Sequence, residues 1–308
     1  MKIGTIGIGN ELLQGMVDSE LEVVAIARSE EPEMSADIGH RSGPSFPSSH
    51  FQVLRNPIVD AVVIHVASSD RFFLVHEALK AGKHVLVDAQ LSRTLEEAEF
   101  LVKLAHSRER VLVTGHPALR SPAVDSACAL LRSNEGRLRV LTSRRHWSGS
   151  RERDVDELWD RVARDLALFG RLTGAEPRWV CGMATSPDTG AALDALHLTL
   201  QYETPQGSVL GQIELGDGAD PSRASIAASA DGLRLDLIER TPHAIELLVK
   251  GDPLPLTARD PRVETLRRFA ACVNANGTLD VREPGLIVAR TLDAARRSLR
   301  DGGRPAEV

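Results

Sequence analysis

Residues 60–91, DAVVIHVASSDRFFLVHEALKAGKHVLVDAQL, decide the fold of this chain. Residues 61–66 are a continuous apolar run, the pattern of a strand buried on both faces. A helical pattern follows over 68–81, Gly82 ends it, and residues 84–87 begin a second buried strand. Strand, helix and strand within about thirty residues form a βαβ unit. The sequence therefore predicts a parallel sheet with a right-handed crossover.

Composition limits the class of protein. The 308 residues are 42% apolar and 26% charged, which indicates two ordinary globular domains, and the net charge of −6 favours neither nucleic acid nor an anionic membrane as a partner. Cys128, Cys181 and Cys272 are scattered and odd in number, so a disulfide framework or a CxxC metal site is not expected. No apolar run reaches the roughly eighteen residues of a membrane span. We expect a soluble cytoplasmic protein without a metal.

The first strand pattern, residues 2–8, runs into a glycine turn. Gly7, Gly9 and Asn10 lie where a Rossmann fold brings its backbone close to a pyrophosphate, at the N-terminus of a helix. The third small residue of the GxGxxG motif is replaced by Leu12. A turn that merely joins strand to helix is therefore the alternative to a cofactor site.

The second strand pattern, residues 21–27, ends at Arg28 and Ser29. In a dinucleotide fold this strand end meets the adenosine ribose. An acidic residue there would favour NAD, whereas arginine with serine suits a 2′-phosphate. The sequence predicts NADP rather than NAD, with an ordinary exposed loop arginine as the alternative.

Two further elements complete the first domain. Residues 94–106 form an amphipathic helix that a Thr94–Glu97 capping box opens, and 111–114 form another short buried strand. Together with the βαβ unit they predict a doubly wound, mostly parallel α/β domain over residues 1–118.

The pattern changes in residues 119–308, which predict an α+β domain with an open, largely antiparallel sheet. Within the helix at 154–172, Asp160 and Arg164 are expected on the side opposite to the apolar face. The strand patterns cover residues 138–146, 178–185, 195–203, 208–215, 223–229, 233–239 and 244–250, and the other helical patterns cover 121–133, 261–275 and 283–300.

Several segments resemble the Gfo/Idh/MocA family of NAD(P)-dependent oxidoreductases, over essentially the whole chain. They are LRNPIVDAVVIHV (54–66), EALKAGKHVLVDAQLSRTLEEAEFLVKLA (77–105), VLVTGHPALRSPAV (111–124), ASADGLRL (228–235) and REPGLIVARTLDAARRSLRDGGR (282–304). The resemblance implies a Rossmann domain followed by a substrate-binding and oligomerisation domain. It also implies hydride transfer between a nicotinamide and a carbon that bears a hydroxyl or carbonyl group, often on a sugar or cyclitol.

The chain departs from the family at two chemical positions. The family's Glu-Lys-Pro triplet after the second strand of the βαβ unit is here Asp88, Ala89 and Gln90. The histidine of its Asp-x-x-x-His motif is here an arginine, in the frame Asp160 to Arg164. Alanine cannot take a proton and arginine stays protonated, so the usual acid–base pair is absent.

Other groups are therefore candidates for catalysis. No lysine lies between residues 104 and 249, so no lysine from that stretch can replace the missing one. Arg164 can stabilise a developing alkoxide, with Asp160 orienting it, and His116 can donate a proton. The alternatives are an exposed Asp160–Arg164 ion pair and an ordinary loop histidine.

The remaining candidates bind ligands. Asp88 ends a strand where a carboxylate can accept from a nicotinamide-ribose hydroxyl, or it caps the next helix. Ala67 matches the family's loop after the strand at 61–66. The predicted cofactor-binding residues are Gly7, Gly9, Asn10, Arg28, Ser29, Ala67, Ser68, Asp88 and Gln90, and the predicted substrate-binding residues are Arg120, His146 and Trp147.

Two functions remain open at this point. The first is an NAD(P)-dependent oxidoreductase with an atypical site, a reductase of a sugar-like or other small metabolite. The second is a non-catalytic relative that binds a nucleotide or metabolite as a sensor, regulator or scaffold. In either case the resemblance implies a homodimer or higher homo-oligomer, a small-molecule ligand, and neither nucleic acid nor membrane as a partner.

Overall fold

The computed structural model describes residues 1–7, 21–27, 49–88, 90–147, 155–185, 195–217, 224–241, 244–275 and 284–308. The chain divides into two compact units, one of residues 1–116 with 262–286 and the other of 117–261 with 287–308. The sequence predicts that residues 119–308 all belong to the second domain. In the structure the helix that begins near residue 261 belongs to the first unit, because its apolar side chains complete that unit's core.

The elements follow the predicted order closely, and none of the described helices is both long and apolar enough to span a membrane. The strands are β1 (Lys2–Ile6), β2 (Glu22–Ala27), β3 (Ala61–Ile64), β4 (His84–Asp88), β5 (Leu112–Gly115), β6 (Leu138–Trp147), β7 (Pro177–Ala184), β8 (Ala195–Thr204), β9 (Gly207–Asp217), β10 (Ala224–Ala230), β11 (Leu233–Thr241), β12 (Ala244–Val249), β13 (Asp252–Pro253) and β14 (Ala306–Glu307). The helices are α1 (His50–Arg55), α2 (Ser68–Lys80), α3 (Leu95–Ser107), α4 (Pro122–Ser133), α5 (Val155–Thr173), α6 (Pro261–Asn274) and α7 (Pro284–Arg300).

The first unit is built on a parallel sheet in the order β2-β1-β3-β4-β5, which confirms the prediction. The βαβ unit is β3, α2 and β4, and Gly82 ends α2 with a φ of 75°. The capping box of α3 is present, since the side chain of Thr94 accepts from the Glu97 N–H at 3.2 Å. The short helix α1 was not predicted; it buries Val53 and Leu54.

The core of this unit explains the position of α6. Leu266 and Phe269 are fully buried beside Ile3, Ile26 and Val63 of the parallel sheet. The sheet thus has one of its faces covered by a helix that lies almost 150 residues later in the chain than β5 (112–115 against 261–274).

The second unit is built on a sheet in the order β13-β12-β11-β10-β6-β9-β8-β7-β14. Its pairs are antiparallel except β6 with β9, which run parallel, so the predicted open, largely antiparallel sheet is confirmed. Helices α4, α5 and α7 pack on one face around Trp159, Phe169 and Leu292. We call the opposite face, which carries Met183, Leu210 and Glu214, the open face.

Candidate functional site

The carboxyl ends of the parallel strands bring several predicted residues to one edge of the first unit. Gly7 follows β1, Ala67 and Ser68 follow β3, Gln90 follows β4, and His116 follows β5. Ligands of open α/β sheets bind at this edge. The sequence therefore placed these candidates correctly relative to the sheet.

Gly7 occupies a position that only glycine fits. Its φ is 75°, and its N–H donates to the Ala27 carbonyl at 2.9 Å. A Cβ atom at this position would lie 2.3 Å from the His65 carbonyl oxygen and 2.5 Å from Cγ1 of Val66. The turn after β1 therefore passes directly beside the end of β3. The other predicted residues of this region, Gly9, Asn10, Arg28 and Ser29, lie outside the described residues.

Buried polar atoms without a hydrogen-bond partner mark the ends of β3, β4 and β5. Gln90 is 2% exposed, yet neither Oε1 nor Nε2 of its amide has a hydrogen-bond partner among the described residues. Within the same part of the chain, the buried hydroxyls of Ser68 and Thr114 also have none. An unsatisfied buried polar group costs about 1–3 kcal/mol, so such groups in a native fold call for an explanation. A polar ligand at this edge would supply the missing partners.

The structure also gives the positions of the other predicted residues at this edge. Ala67 is the N-cap residue of α2, and Ser68 is the first residue of that helix. His116 is buried directly after β5. The backbone of Asp88 pairs in register with Gly115 at the last position of β4, and only this backbone is described.

A buried ionic network occupies the helix-covered face of the second sheet. The Arg145 guanidinium donates from Nε to Oδ2 of Asp165 at 2.8 Å and from Nη2 to Oδ1 at 2.6 Å. Its Nη1 donates to Oε2 of Glu239 at 2.9 Å, and the Ser143 hydroxyl donates to Asp165 at 2.7 Å. Burial alone would lower the pKa of Arg145, but the two carboxylates hold it above its ordinary value. Arg145 is therefore a fixed, fully neutralised cation.

Arg164 belongs to the same network. Its Nη1 donates to Oε1 of Glu239 at 2.7 Å, and its side chain is 21% exposed. Arg164 therefore lies on the sheet side of α5, and the expectation that it lies opposite to the apolar face is wrong, because β11 places Glu239 beneath the helix. The orienting role of Asp160 stays a prediction.

The predicted substrate-binding residues lie in two places of the second unit. Arg120 ends a short 3-10 helix, Pro117–Arg120, directly after the first unit. His146 is near the end of β6 and lines a pocket with His197 and Glu214 of neighbouring strands, while Trp147 is the last residue of β6. Arg145 beside them cannot contribute to an anion site, since its donors are taken by Asp165 and Glu239.

Sequence reasoning missed Asp165, Glu239 and Thr114. Asp165 could have been found, because it lies next to Leu166 on the apolar face of α5, where a carboxylate requires a buried cation. Glu239 had no such signal, because an acidic residue near a strand end is ordinary.

Similarity to known proteins agrees with this architecture. Residues 1–116 match the Gfo/Idh/MocA family model, an oxidoreductase family with an NAD-binding Rossmann fold. UDP-N-acetylglucosamine 3-dehydrogenase of Acidithiobacillus ferrooxidans is 30% identical over 190 residues, which cover 58% of this chain and 56% of that protein. The dTDP-3,4-didehydro-2,6-dideoxy-alpha-D-glucose 3-reductase of Saccharopolyspora spinosa is 30% identical over 149 residues, 46% of this chain and 45% of that protein. The chain thus spans about half the length of these two relatives.

The whole fold also has solved counterparts. The crystal structure of aldose-aldose oxidoreductase from Caulobacter crescentus complexed with glycerol superimposes with a TM-score of 0.81 at 18% identity, over 100% of this chain and 99% of that one. The likeness extends through both units. Residues 1–116 therefore match an oxidoreductase family with an NAD-binding Rossmann fold, and the whole chain shares the fold of this solved structure.

Proposed function

We propose that this chain is an NAD(P)-dependent oxidoreductase, acting as a reductase on a carbonyl or hydroxyl carbon of a sugar-like small metabolite. The observation that carries the proposal is the buried amide of Gln90, which has no partner at the carboxyl edge of the parallel sheet. The family match over residues 1–116 supports a dinucleotide as its ligand.

The residues at this edge fit a nicotinamide cofactor. Gly7 keeps the turn after β1 free of a side chain, and Gln90 offers both a donor and an acceptor. Ser68 adds a hydroxyl at the start of α2, and Asp88 is proposed on the sequence alone to bind the nicotinamide ribose. When bound, the cofactor supplies or accepts the hydride. Arg28 and Ser29 favour NADP over NAD, on the sequence alone.

Proton handling must differ from the family's, because Ala89 and Arg164 replace its lysine and histidine. We propose His116 as the proton donor, since imidazole exchanges protons near neutral pH. Arg164 remains charged and would stabilise negative charge that develops on the substrate oxygen, with Asp160 as an orienting partner.

The substrate class and the assembly are also proposals. Both curated relatives carry names of enzymes that act on nucleotide-linked sugars, which supports a sugar-like substrate. Arg120, His146 and Trp147 are the residues proposed to bind it. We further propose that the protein is cytoplasmic and that its open face pairs with a second copy in a homodimer or higher homo-oligomer.

The alternative is a non-catalytic protein that binds a nucleotide or metabolite as a sensor, regulator or scaffold. The simultaneous presence of Ala89 and Arg164 at the family's two acid–base positions favours it. Turnover is the property that separates the two functions.

A turnover screen with Arg164→Ala tests the proposal. Wild-type protein is assayed with oxidised and reduced cofactors against a panel of sugars and nucleotide sugars. If Arg164 stabilises the transition state, Arg164→Ala should lower kcat by at least about 100-fold, while cofactor affinity stays within about twofold, since Arg164 lies in the second unit. Arg161→Ala, an exposed arginine on the same helix, is the control and should keep full activity.

Full activity in Arg164→Ala would remove this residue from the chemistry. No turnover in the wild type with any substrate, despite cofactor binding, would favour the non-catalytic alternative.

A further inference from the structure

We propose that the guanidinium of Arg164 is a binding site for an oxyanion, so that the ligand of the second unit carries a carboxylate or a phosphate group. The inference rests on the proposed function only in assigning that oxyanion to the substrate. The binding site itself is argued from the second unit alone.

Arg145 and Arg164 stand on either side of one carboxylate. Glu239 accepts from Nη1 of Arg145 through Oε2 at 2.9 Å and from Nη1 of Arg164 through Oε1 at 2.7 Å. Each arginine thus donates from its Nη1 to a different oxygen of Glu239. The two arginines differ in the hydrogen bonds that their Nε and Nη2 atoms make.

The pair of donors Nε and Nη2 is filled on Arg145 and empty on Arg164. On Arg145 this pair binds the Asp165 carboxylate at 2.8 and 2.6 Å. On Arg164 both atoms are buried, and neither has a hydrogen-bond partner among the residues that the structure describes. Two parallel N–H groups of this kind match the two oxygens of a carboxylate or phosphate. The structure thus shows, on Arg145, the type of group that Arg164 lacks.

The two carboxylates of this network leave the pair unfilled. Both oxygens of Asp165 are used by Arg145, and Ser143 also donates to Oδ2. Each oxygen of Glu239 already accepts from one arginine. Burying these unpaired donors costs free energy, and Arg164 cannot avoid that cost by losing its proton, because a guanidinium stays charged in proteins.

The surroundings strengthen attraction to an anion. Arg164 lines a small cavity together with Arg145, Glu239 and Ser225, and the other lining residues are apolar, namely Val124, Leu168, Ala224, Ile226, Leu237 and Ile245. Such walls keep the local dielectric low, and a charge-assisted contact is stronger there than in water. An oxyanion can accept from both donors, and the guanidinium stays charged when it does so.

Direct binding measurements test the site without cofactor or turnover. Inorganic phosphate, acetate, D-glucuronate and D-glucose 6-phosphate are titrated calorimetrically into wild-type protein at constant ionic strength, with chloride as the balancing salt and neutral D-glucose as the uncharged probe. The carboxylate and phosphate arms identify which oxyanion is preferred. We expect saturable binding of at least one anion and none of D-glucose.

Three variants separate the site from general charge effects. Arg164→Lys keeps the charge but lacks the paired donors, and it should weaken anion binding by at least about tenfold. Arg161→Lys, the matched change at an exposed position of α5, should leave it unchanged. Glu239→Gln removes a competing negative charge and should tighten anion binding several-fold.

The outcomes are distinct from those of the proposed function. Equal anion affinity in wild type and Arg164→Lys, with both proteins folded by thermal unfolding, would overturn the assignment. Loss of anion binding in folded Glu239→Gln would overturn it as well. Failure to bind NADPH or NADH while phosphate or a carboxylate still binds would reject the oxidoreductase function and leave this site standing.

Discussion

At the scale of single residues, Gly7 is the position where the backbone sets the strictest limit. A side chain there meets both a left-handed φ of 75° and the end of β3 at 2.3–2.5 Å. Gly174 has a similar φ of 67° but nothing within 4 Å of its missing Cβ. A substitution at Gly174 therefore costs only the free energy of the left-handed backbone conformation, whereas one at Gly7 also costs the steric clash with the end of β3.

We predict that Gly7→Ala destabilises the first unit by about 2–4 kcal/mol, against about 1 kcal/mol for Gly174→Ala. The excess reflects the clash with β3, which must move its backbone to admit a methyl group. Urea unfolding measures both variants, with hydrogen exchange of the β1 and β3 amides reporting Gly7→Ala and that of the α5 amides reporting Gly174→Ala, which lies in the second unit. Equal losses of unfolding free energy in the two variants would show that the close approach of β1 and β3 does not add to the cost of the substitution.

Single residues also show which features of the site could not be predicted from the sequence. The glycine turn at Gly7 and the polar residues that follow the strands are local patterns, and both were predictable from the sequence. The pairing of Arg164 with Glu239 was not, because the two residues are 75 positions apart. Local periodicity gives the face of a helix but not the residue that the fold places beneath it. The unsatisfied amide of Gln90 is likewise visible only once its neighbours are known.

At the scale of elements, the bounds of α6 were predictable from the sequence, but its location in the fold was not. Its bounds were predicted within a residue or so, since the amphipathic pattern over 261–275 is clear. Its location was not, because an apolar stripe does not identify the surface that it covers. The same holds for β6 and β9, whose alternation predicted two strands but not that they pair in parallel.

We predict that Phe269→Ala lowers the stability of the first unit by about 3–5 kcal/mol. Phe269 is fully buried in the core of the parallel sheet, although it lies in α6, far along the chain. Hydrogen exchange should accelerate in β1 and β5 and change little in β8 and β9. Phe73→Ala, at an exposed phenylalanine of α2, is the control and should have little effect. Faster exchange confined to β8 and β9 would place α6 with the second unit instead.

At the scale of the whole molecule, the open face of the second sheet is the surface proposed to join two copies. Rows of side chains cross it in register, for example Trp179, Gln201, Leu210 and Val140 on four adjacent strands. These four residues are uncharged, and ion pairs such as Arg144–Glu214 and Arg234–Asp236 lie on the same face. A polar rim around a less polar centre is the usual anatomy of a protein interface.

We predict that Leu210→Asp converts a dimer into a monomer in sedimentation velocity experiments. Leu210 is 39% exposed on the open face, and a buried carboxylate at its position would lack a cation. Leu254→Asp, at a similarly exposed leucine near β13, should leave the mass unchanged. A wild-type protein that sediments as a monomer at all concentrations would reject the proposed pairing.

The most direct test of the central claim is a calorimetric titration of wild type and Gln90→Leu with NADPH, NADP, NADH and NAD. Because the Gln90 amide lacks partners at the edge where Rossmann ligands bind, we predict micromolar binding of one cofactor pair to the wild type, with NADP(H) preferred. Gln90→Leu should bind at least about tenfold more weakly, since each lost hydrogen bond to a buried ligand is worth about 1.4 kcal/mol or more. No binding to the wild type at millimolar cofactor, or equal binding to both proteins, would contradict the assignment of this edge as the cofactor site.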